Sequence, residues 1–327
     1  SPACNPYAAR VKITVLGPGA WGTALAKIAH ERGHAVTLWG RTERLDAIAA
    51  ANENSQYLPG IALPTDWTLE PNLPTALSSA EGVILAVPSS SFSKITGQLG
   101  EFGGIAVSVT KGIEHETGRT MAGLIEADAP NAKPVALSGP SLAAEVARGI
   151  PTALVCASED EANAKTVQDW FHRPTLRMYT STDVLGVELG GALKNVMAIA
   201  AGVCDGLKLG DNAKAALITR GLNEMRRLGT AAGARPETFS GLSGMGDLTV
   251  SCFSQQSRNR TLGERIARGE PLENVLASAT AEGYPTARSA KALAARLGVP
   301  TPIIDEVHAM LYEGKDVRHT FQTFNSR

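Results

Sequence analysis

Up to about Asp183 the chain alternates short, almost continuous apolar runs with amphipathic stretches. The apolar runs lie near Val11, near Ala35, and over Gly82 to Val87, Gly104 to Thr110, Pro134 to Leu137, Thr152 to Val155 and Leu176 to Tyr179. A run such as Val83-Ile84-Leu85-Ala86-Val87 has no polar alternation, which predicts a strand buried on both faces, as in a parallel sheet covered by helices. From Val184 onward the period turns helical, over Leu185 to Val203, Lys214 to Leu228, Leu262 to Arg268, Thr286 to Leu297 and Ile303 to Tyr312, with almost no strand signal. The pattern predicts an α/β domain over 10–184 and an all-helical second domain over 185–327, joined through the long apolar helix. Length agrees, since 327 residues exceed what one hydrophobic core usually serves.

Between the first apolar run, Val11 to Leu16, and a helical run from Thr23 to Arg32 stands Gly17-Pro18-Gly19-Ala20-Trp21-Gly22. A strand, a glycine-rich turn and a helix in that order are the context in which a dinucleotide pyrophosphate meets a helix N-terminus. Gly17 would permit the tight turn, Gly19 the close approach of backbone to phosphate, and Gly22 close packing of helix on strand. The fold class this implies is α/β, with a Rossmann-like doubly wound, mainly parallel sheet followed by the all-helical domain. About 20 residues beyond these glycines, where an acidic side chain would bind the ribose hydroxyls of NAD, the second strand ends at Gly40-Arg41. An ionised guanidinium suits a 2′-phosphate that an acid would repel, so NADP(H) is the preferred cofactor, with NAD(H) still admitted.

Composition narrows the partners. A formal net charge of −1 supplies no general field for nucleic acid or an anionic membrane, and no run reaches the roughly 18 uninterrupted apolar residues of a spanning helix, so neither nucleic-acid binding nor membrane insertion is expected. Cys4, Cys156, Cys204 and Cys252 lie far apart and form no metal-ligand cluster with the histidines, which fits a reduced, cytoplasmic protein without a metal. Residues 1–9 carry neither the basic nor the apolar region of a signal peptide and are expected to form a disordered lead-in.

Ligands of an open parallel sheet meet the carboxyl ends of its strands. Pro88-Ser89-Ser90 at one such end reads as an ordinary turn. Lys111-Gly112 follows the next strand, and Ser138-Gly139-Pro140-Ser141 the one after, with Pro140 suited to a first helical turn and Gly139 to its cap. For that last segment a plain turn and a ligand site fit equally well. Lys194 is the sole cation between Asp183 and Lys208, in a helix otherwise built mostly of small and aliphatic residues. Burial would depress its pKa and suit it to general acid-base work, although a lysine snorkelling to solvent is the commoner outcome of such a pattern. Asn195 beside it could orient a ligand. Gly241-Leu242-Ser243-Gly244-Met245-Gly246-Asp247-Leu248 isolates one carboxylate in what reads as a flexible loop, with Lys194 its natural partner and a helix cap its ordinary role. Ser257-Arg258-Asn259-Arg260 gathers donors suited to phosphate, or is simply surface charge.

Together these segments, with Thr110 to Glu114, Leu193 to Val196, Asn212 to Leu228 and Ala281-Glu282-Gly283-Tyr284, closely resemble the bacterial NAD(P)-dependent glycerol-3-phosphate dehydrogenases over nearly the whole chain. The resemblance implies reversible reduction of dihydroxyacetone phosphate to sn-glycerol 3-phosphate, supplying glycerophospholipid synthesis, by a homodimer. It implies Lys194 as the proton-transfer residue, assisted by Lys111 and Asp247. Substrate contacts would come from Lys111, Gly139, Ser141, Lys194, Asp247, Ser257, Arg258 and Asn259. Cofactor contacts would come from Ala20, Trp21, Arg41, Lys111, Ala143, Arg258, Ala281 and Glu282, besides the glycines of the turn. Pro18 departs from the commoner Ala or Gly, and Ser141 stands where some members carry Thr. The competing readings are another two-domain NADP-dependent reductase, acting on a 3-hydroxy acid or ketopantoate, and a non-catalytic NADPH sensor.

Overall fold

A computed structural model describes residues 10–319, so the expected lead-in over 1–9 lies outside the described residues. The described chain divides into two compact units. One comprises the residues up to Thr110, Met121–Leu137 and Ser141–Val184; the other comprises Lys111–Thr120, Ser138–Pro140 and the residues from Leu185 onward. Two short excursions from the α/β half, 111–120 and 138–140, therefore pack with the helical unit.

The first unit is built on eight strands: β1 (Lys12–Leu16), β2 (Ala35–Trp39), β3 (Thr68–Glu70), β4 (Gly82–Leu85), β5 (Ile105–Ser108), β6 (Lys133–Ser138), β7 (Thr152–Ala157) and β8 (Leu176–Ser181). Its helices are α1 (Ala20–Glu31), α2 (Thr42–Ala51), α3 (Leu73–Leu77), α4 (Ser89–Thr96), α5 (Met121–Asp128), α6 (Ala143–Ala147) and α7 (Glu161–Phe171). The strand order is β3-β2-β1-β4-β5-β6-β7-β8, and β1 pairs in parallel with both β2 and β4, Val15 standing between Leu38 and Ile84. The order reverses between β1 and β4, which makes the carboxyl end of β1 the switch point where ligands of doubly wound sheets bind. Two apolar layers sandwich the sheet, one around Ile13, Val15 and Leu25, the other around Leu16, Leu85 and Phe92. Adjacent residues of β1 thus serve opposite layers, the two-residue alternation of a strand buried on both faces.

Three sequence expectations change here. β3 gave no apolar signal because it is a three-residue edge strand, Thr68-Leu69-Glu70, held through backbone pairing with Thr37 to Trp39. α1 begins at Ala20, three residues before the expected Thr23, so Ala20 and Trp21 lie in its first turn. The segment after β6 does not start a helix: Gly139 takes φ +126°, a left-handed value that favours glycine, and α6 begins only at Ala143 with Leu142 as its cap.

The second unit carries α8 (Val184–Gly206), α9 (Asp211–Ala231), a 3-10 turn (Pro236–Ser240), a π turn (Leu242–Gly246), α10 (Asp247–Phe253), α11 (Arg258–Ala267), α12 (Leu272–Ser278), α13 (Gly283–Leu297) and α14 (Pro302–Tyr312). From Val184 onward there is no strand among the described residues. α8 is the axis of this unit. By length and composition it could cross a membrane, but 89% of its most apolar window is buried in the fold, which accounts for its apolarity as that of a core helix. α11 packs on it at backbone distance: a methyl carbon added at Gly202 would lie 1.9 Å from the Arg260 carbonyl oxygen, and one at Gly263 would lie 2.0 Å from that of Ile199. The expected flexible loop at Gly241 to Gly246 is instead wound into the π turn, which sets Asp247 at the head of α10.

Candidate active site

In the first unit the glycine-rich turn closes on the switch point as its residue types require. Gly17 takes φ +113°, and a methyl there would meet the Ala86 carbonyl oxygen at 2.6 Å; one at Gly22 would lie 2.1 Å from the Gly17 oxygen. Gly19 differs, since a methyl at its Cα would meet nothing within 4 Å. The backbone is thus bare at Gly19, and the first N–H groups of α1, those of Ala20, Trp21 and Gly22, have no acceptor within the helix. Gly17 N–H donates to the Trp39 carbonyl at 3.1 Å, tying the turn to the end of β2. Arg41, exposed, caps α2 two residues beyond Trp39, so a cation stands where an acid would select against a 2′-phosphate. These features fit a phosphorylated dinucleotide. Ala143 opens α6 and Ser141 precedes it, both in this unit.

In the second unit Lys111, Gly139, Lys194 and Asp247 converge. Asp247, 1% exposed, accepts from Lys111 Nζ on Oδ2 at 2.5 Å and stands 3.1 Å from Lys194 Nζ through Oδ1. Lys111 also donates to the Gly139 carbonyl at 3.1 Å. Lys194 does not snorkel: its residue is 7% exposed and its ammonium donates to Ser251 Oγ at 2.6 Å. Burial pulls the Lys194 pKa down to about 8, with the Lys111 charge acting in the same direction and Asp247 opposing. The approach of these groups depends on glycines in α8. A side chain at Gly190 would strike the Ser243 carbonyl at 2.9 Å, and one at Gly191 would crowd the stem of Lys111 at 3.4 Å. Ser251 was not singled out by the sequence, although Asp247 and Ser251 are four residues apart, the spacing that puts two side chains on one helical face.

The phosphate candidates lie one helix away. Ser257 caps α11, its Oγ accepting from Arg260 N–H at 3.3 Å, and Arg258 is exposed at the first position of that helix. Asn259 is buried, donating through Nδ2 to Asn195 Oδ1 at 2.8 Å and accepting on Oδ1 from Gly283 N–H at 2.8 Å. Its amide therefore links the residue beside Lys194 to the start of α13, where Glu282 is the cap. Arg258 and Ala281 line one cavity of about 150 Å³ with Gln256 and Arg265. Arg260, by contrast, is an internal ion-pair partner of Asp205 at 2.6 Å. Cys156 and Cys252, both buried, have thiols pushed up to about 12, and Cys204 to about 11, which leaves them protonated and unreactive. No cluster suited to a metal ion occurs among the described residues.

A glycine-rich turn at the switch point of a doubly wound sheet, with a buried lysine of lowered pKa in a helical unit, is the pattern of a nicotinamide-dependent oxidoreductase. Residues 12–164 match the family model described as NAD-dependent glycerol-3-phosphate dehydrogenase N-terminus, and residues 183–322 match its C-terminus counterpart. The chain belongs to the NAD-dependent glycerol-3-phosphate dehydrogenase family. Relatives named glycerol-3-phosphate dehydrogenase (NAD(P)+) include that of Thioalkalivibrio sulfidiphilus, 48% identical across 92% of this chain and 93% of its own length. That of Thiobacillus denitrificans is 49% identical across 93% and 94%. The solved structure of glycerol-3-phosphate dehydrogenase from Coxiella burnetii superimposes with a TM-score of 0.94 at 34% identity, covering 97% of this chain and 99% of that one. These likenesses bear out the resemblance read from the sequence and support neither the alternative reductase nor the sensor.

Proposed function

We propose that the protein reduces dihydroxyacetone phosphate to sn-glycerol 3-phosphate, and catalyses the reverse, with NADPH preferred over NADH. The observation that carries the catalytic reading is the buried Lys111–Asp247–Lys194 cluster, in which one carboxylate holds two ammonium groups. Lys194 Nζ gives its proton to the oxygen of the ketone as that oxygen gains charge, and Lys111 supplies a second cation to the same oxygen. Asp247 fixes both ammonium groups. Arg258 and the N–H groups at the head of α11 take the substrate phosphate, with the second Nδ2 hydrogen of Asn259 as a further donor. Gly139 completes the substrate contacts of the second unit, and Ser257 orders the helix head. When bound, the dinucleotide supplies the hydride. Gly17, Gly19 and Gly22, with Ala20, Trp21, Arg41 and Ala143 of the first unit, hold it. The first unit is the dinucleotide-binding domain and the second the substrate domain.

Phosphate binding remote from the reacting carbon supplies energy for positioning, so unphosphorylated dihydroxyacetone should lose turnover as well as affinity. The buried free thiols fit a reducing cytoplasm, and a symmetric homodimer is the commonest assembly for such a chain. The direct test follows NADPH and NADH oxidation with and without dihydroxyacetone phosphate, beside a panel of keto acids. Substrate-dependent oxidation specific to the phosphorylated ketone is the expected result; preference for a keto carboxylate, or cofactor binding without turnover, would overturn the proposal.

A further inference from the structure

The residue at which this chain departs from the usual glycine-rich turn, Pro18, meets the residue that precedes Arg41. A methyl carbon added at Gly40 would lie 2.5 Å from Pro18 Cγ and 2.7 Å from Cδ, so the pyrrolidine ring already occupies the space of a side chain there. The ring cannot swing away, because its φ is fixed by its own closure. Its backbone is held as well. Asn54, 2% exposed, donates through Nδ2 to the Pro18 carbonyl at 2.9 Å and to Thr23 Oγ1 at 2.8 Å, and Gly17 N–H is bonded to Trp39. On the far side Arg41 is fixed as the cap of α2, its carbonyl accepting from the N–H groups of Arg44 at 3.0 Å and Leu45 at 3.1 Å.

We propose that Pro18 and Gly40 form a spacer that sets the separation between the glycine-rich turn and Arg41, and thereby sets how strongly the protein discriminates a dinucleotide bearing a 2′-phosphate from one without it. The inference rests on the cofactor reading above. The pyrophosphate and the 2′-phosphate are two ends of one adenosine, so a guanidinium anchored at the wrong distance from the turn loses only the second. A ligand without a 2′-phosphate is indifferent to that distance. Pro18 and Gly40 are positioning residues, acting through Arg41.

The test is equilibrium binding of NADPH and NADH, and of the fragments 2′,5′-ADP and 5′-AMP, to the wild-type protein, Pro18→Ala, Gly40→Ala, the double variant and Arg41→Ala. Gly40→Ala should weaken NADPH and 2′,5′-ADP by about tenfold or more, the loss of one charge-assisted contact, and NADH and 5′-AMP far less. Pro18→Ala should restore most of that affinity in the Gly40→Ala background. Should Gly40→Ala fail to fold, the double variant folding and binding is the same rescue, and Pro18→Ala alone should still lower the NADPH to NADH affinity ratio. Equal weakening of both ligands by Gly40→Ala, simple multiplication of the two single effects, or no change in ratio with Pro18→Ala would each overturn the spacer. An unchanged ratio in Arg41→Ala would instead overturn the underlying assignment of Arg41.

Discussion

Asp247 and Lys194 face each other at 3.1 Å between Oδ1 and Nζ, in surroundings that leave the carboxylate 1% exposed. The remaining carboxylate oxygen is engaged by Lys111, and Ser251, one turn along α10, bonds the Lys194 ammonium. Two cations and one anion leave the cluster a net positive charge, in a place from which water is largely excluded. Such a site favours an incoming group that gains negative charge, as a carbonyl oxygen does on accepting hydride.

Lys194 has its pKa lowered to about 8, chiefly by burial. In the proposed mechanism the protonated form is the donor in ketone reduction, so kcat/KM in that direction should fall as pH rises through about 8, while oxidation of the alcohol should rise through the same range. Lys194→Ala should lower turnover by roughly 10²–10⁴-fold with NADPH affinity retained, the usual span for loss of a proton donor. Turnover near the wild-type value in that variant would contradict the assignment.

Asp247→Asn removes the attraction that raises the Lys194 pKa and leaves burial and the Lys111 charge, both of which lower it. The pH limb of ketone reduction should therefore move below about 8. Folding stability should fall by about 3–5 kcal/mol, since breaking a buried pair strands a charge. A limb that stays in place as the rate drops would mean that Asp247 acts on substrate and not through Lys194.

Ser251→Ala deletes the hydroxyl that accepts from Lys194 Nζ at 2.6 Å. Losing a buried hydrogen bond to a charged group costs about 1.5–3 kcal/mol, so kcat/KM should fall about 10- to 100-fold. The KM for NADPH should not move. Ser251→Thr keeps the hydroxyl and should recover most of the activity.

Much of this was legible in the sequence, for physical reasons that vary along the chain. Continuous apolar runs identify strands buried on both faces, and Gly17 and Gly22 stand out because nothing larger fits against Ala86 and the turn itself. β3 was invisible because a short edge strand is held by backbone hydrogen bonds, which carry no side-chain signature. The start of α6 differs from the expected one because Gly139 and Pro140 suit an irregular turn as well as a helix cap, and the φ of +126° that Gly139 takes carries no signature in the residue types. For Lys194 the helix pattern alone favours snorkelling; only the arrival of Asp247 and Ser251, more than 50 residues away, makes its burial tolerable. Ser251 itself is an ordinary residue in an ordinary helix until that lysine meets it.

Gly17→Ala tests the dinucleotide turn apart from the chemistry. The new methyl would lie 2.6 Å from the Ala86 carbonyl oxygen, at a φ of +113° that alanine rarely adopts. Strain of this kind costs about 1–3 kcal/mol, so the melting temperature should fall and affinity for both NADPH and NADH should drop together. Loss of NADPH binding alone would place Gly17 in cofactor discrimination and not in the turn.

Glu224 offers a stability test remote from the site. Its carboxylate, 2% exposed, accepts from the N–H groups of Ile303 at 3.0 Å and Ile304 at 2.9 Å, at the head of α14. Burial nevertheless raises its pKa to about 7, outweighing the two donors and the nearby Arg227. A carboxyl whose folded pKa exceeds its unfolded value of 4.5 binds its proton more tightly in the native state. Its contribution is therefore complete below that unfolded value and is lost as pH climbs through about 7, a difference of roughly 3 kcal/mol at most. Wild-type protein should melt at a higher temperature near pH 5.5 than near pH 8, and Glu224→Gln, which carries no titrating proton, should shrink that difference. If the variant keeps the full pH dependence, the two helix-head N–H groups outweigh burial and Glu224 is ionised throughout.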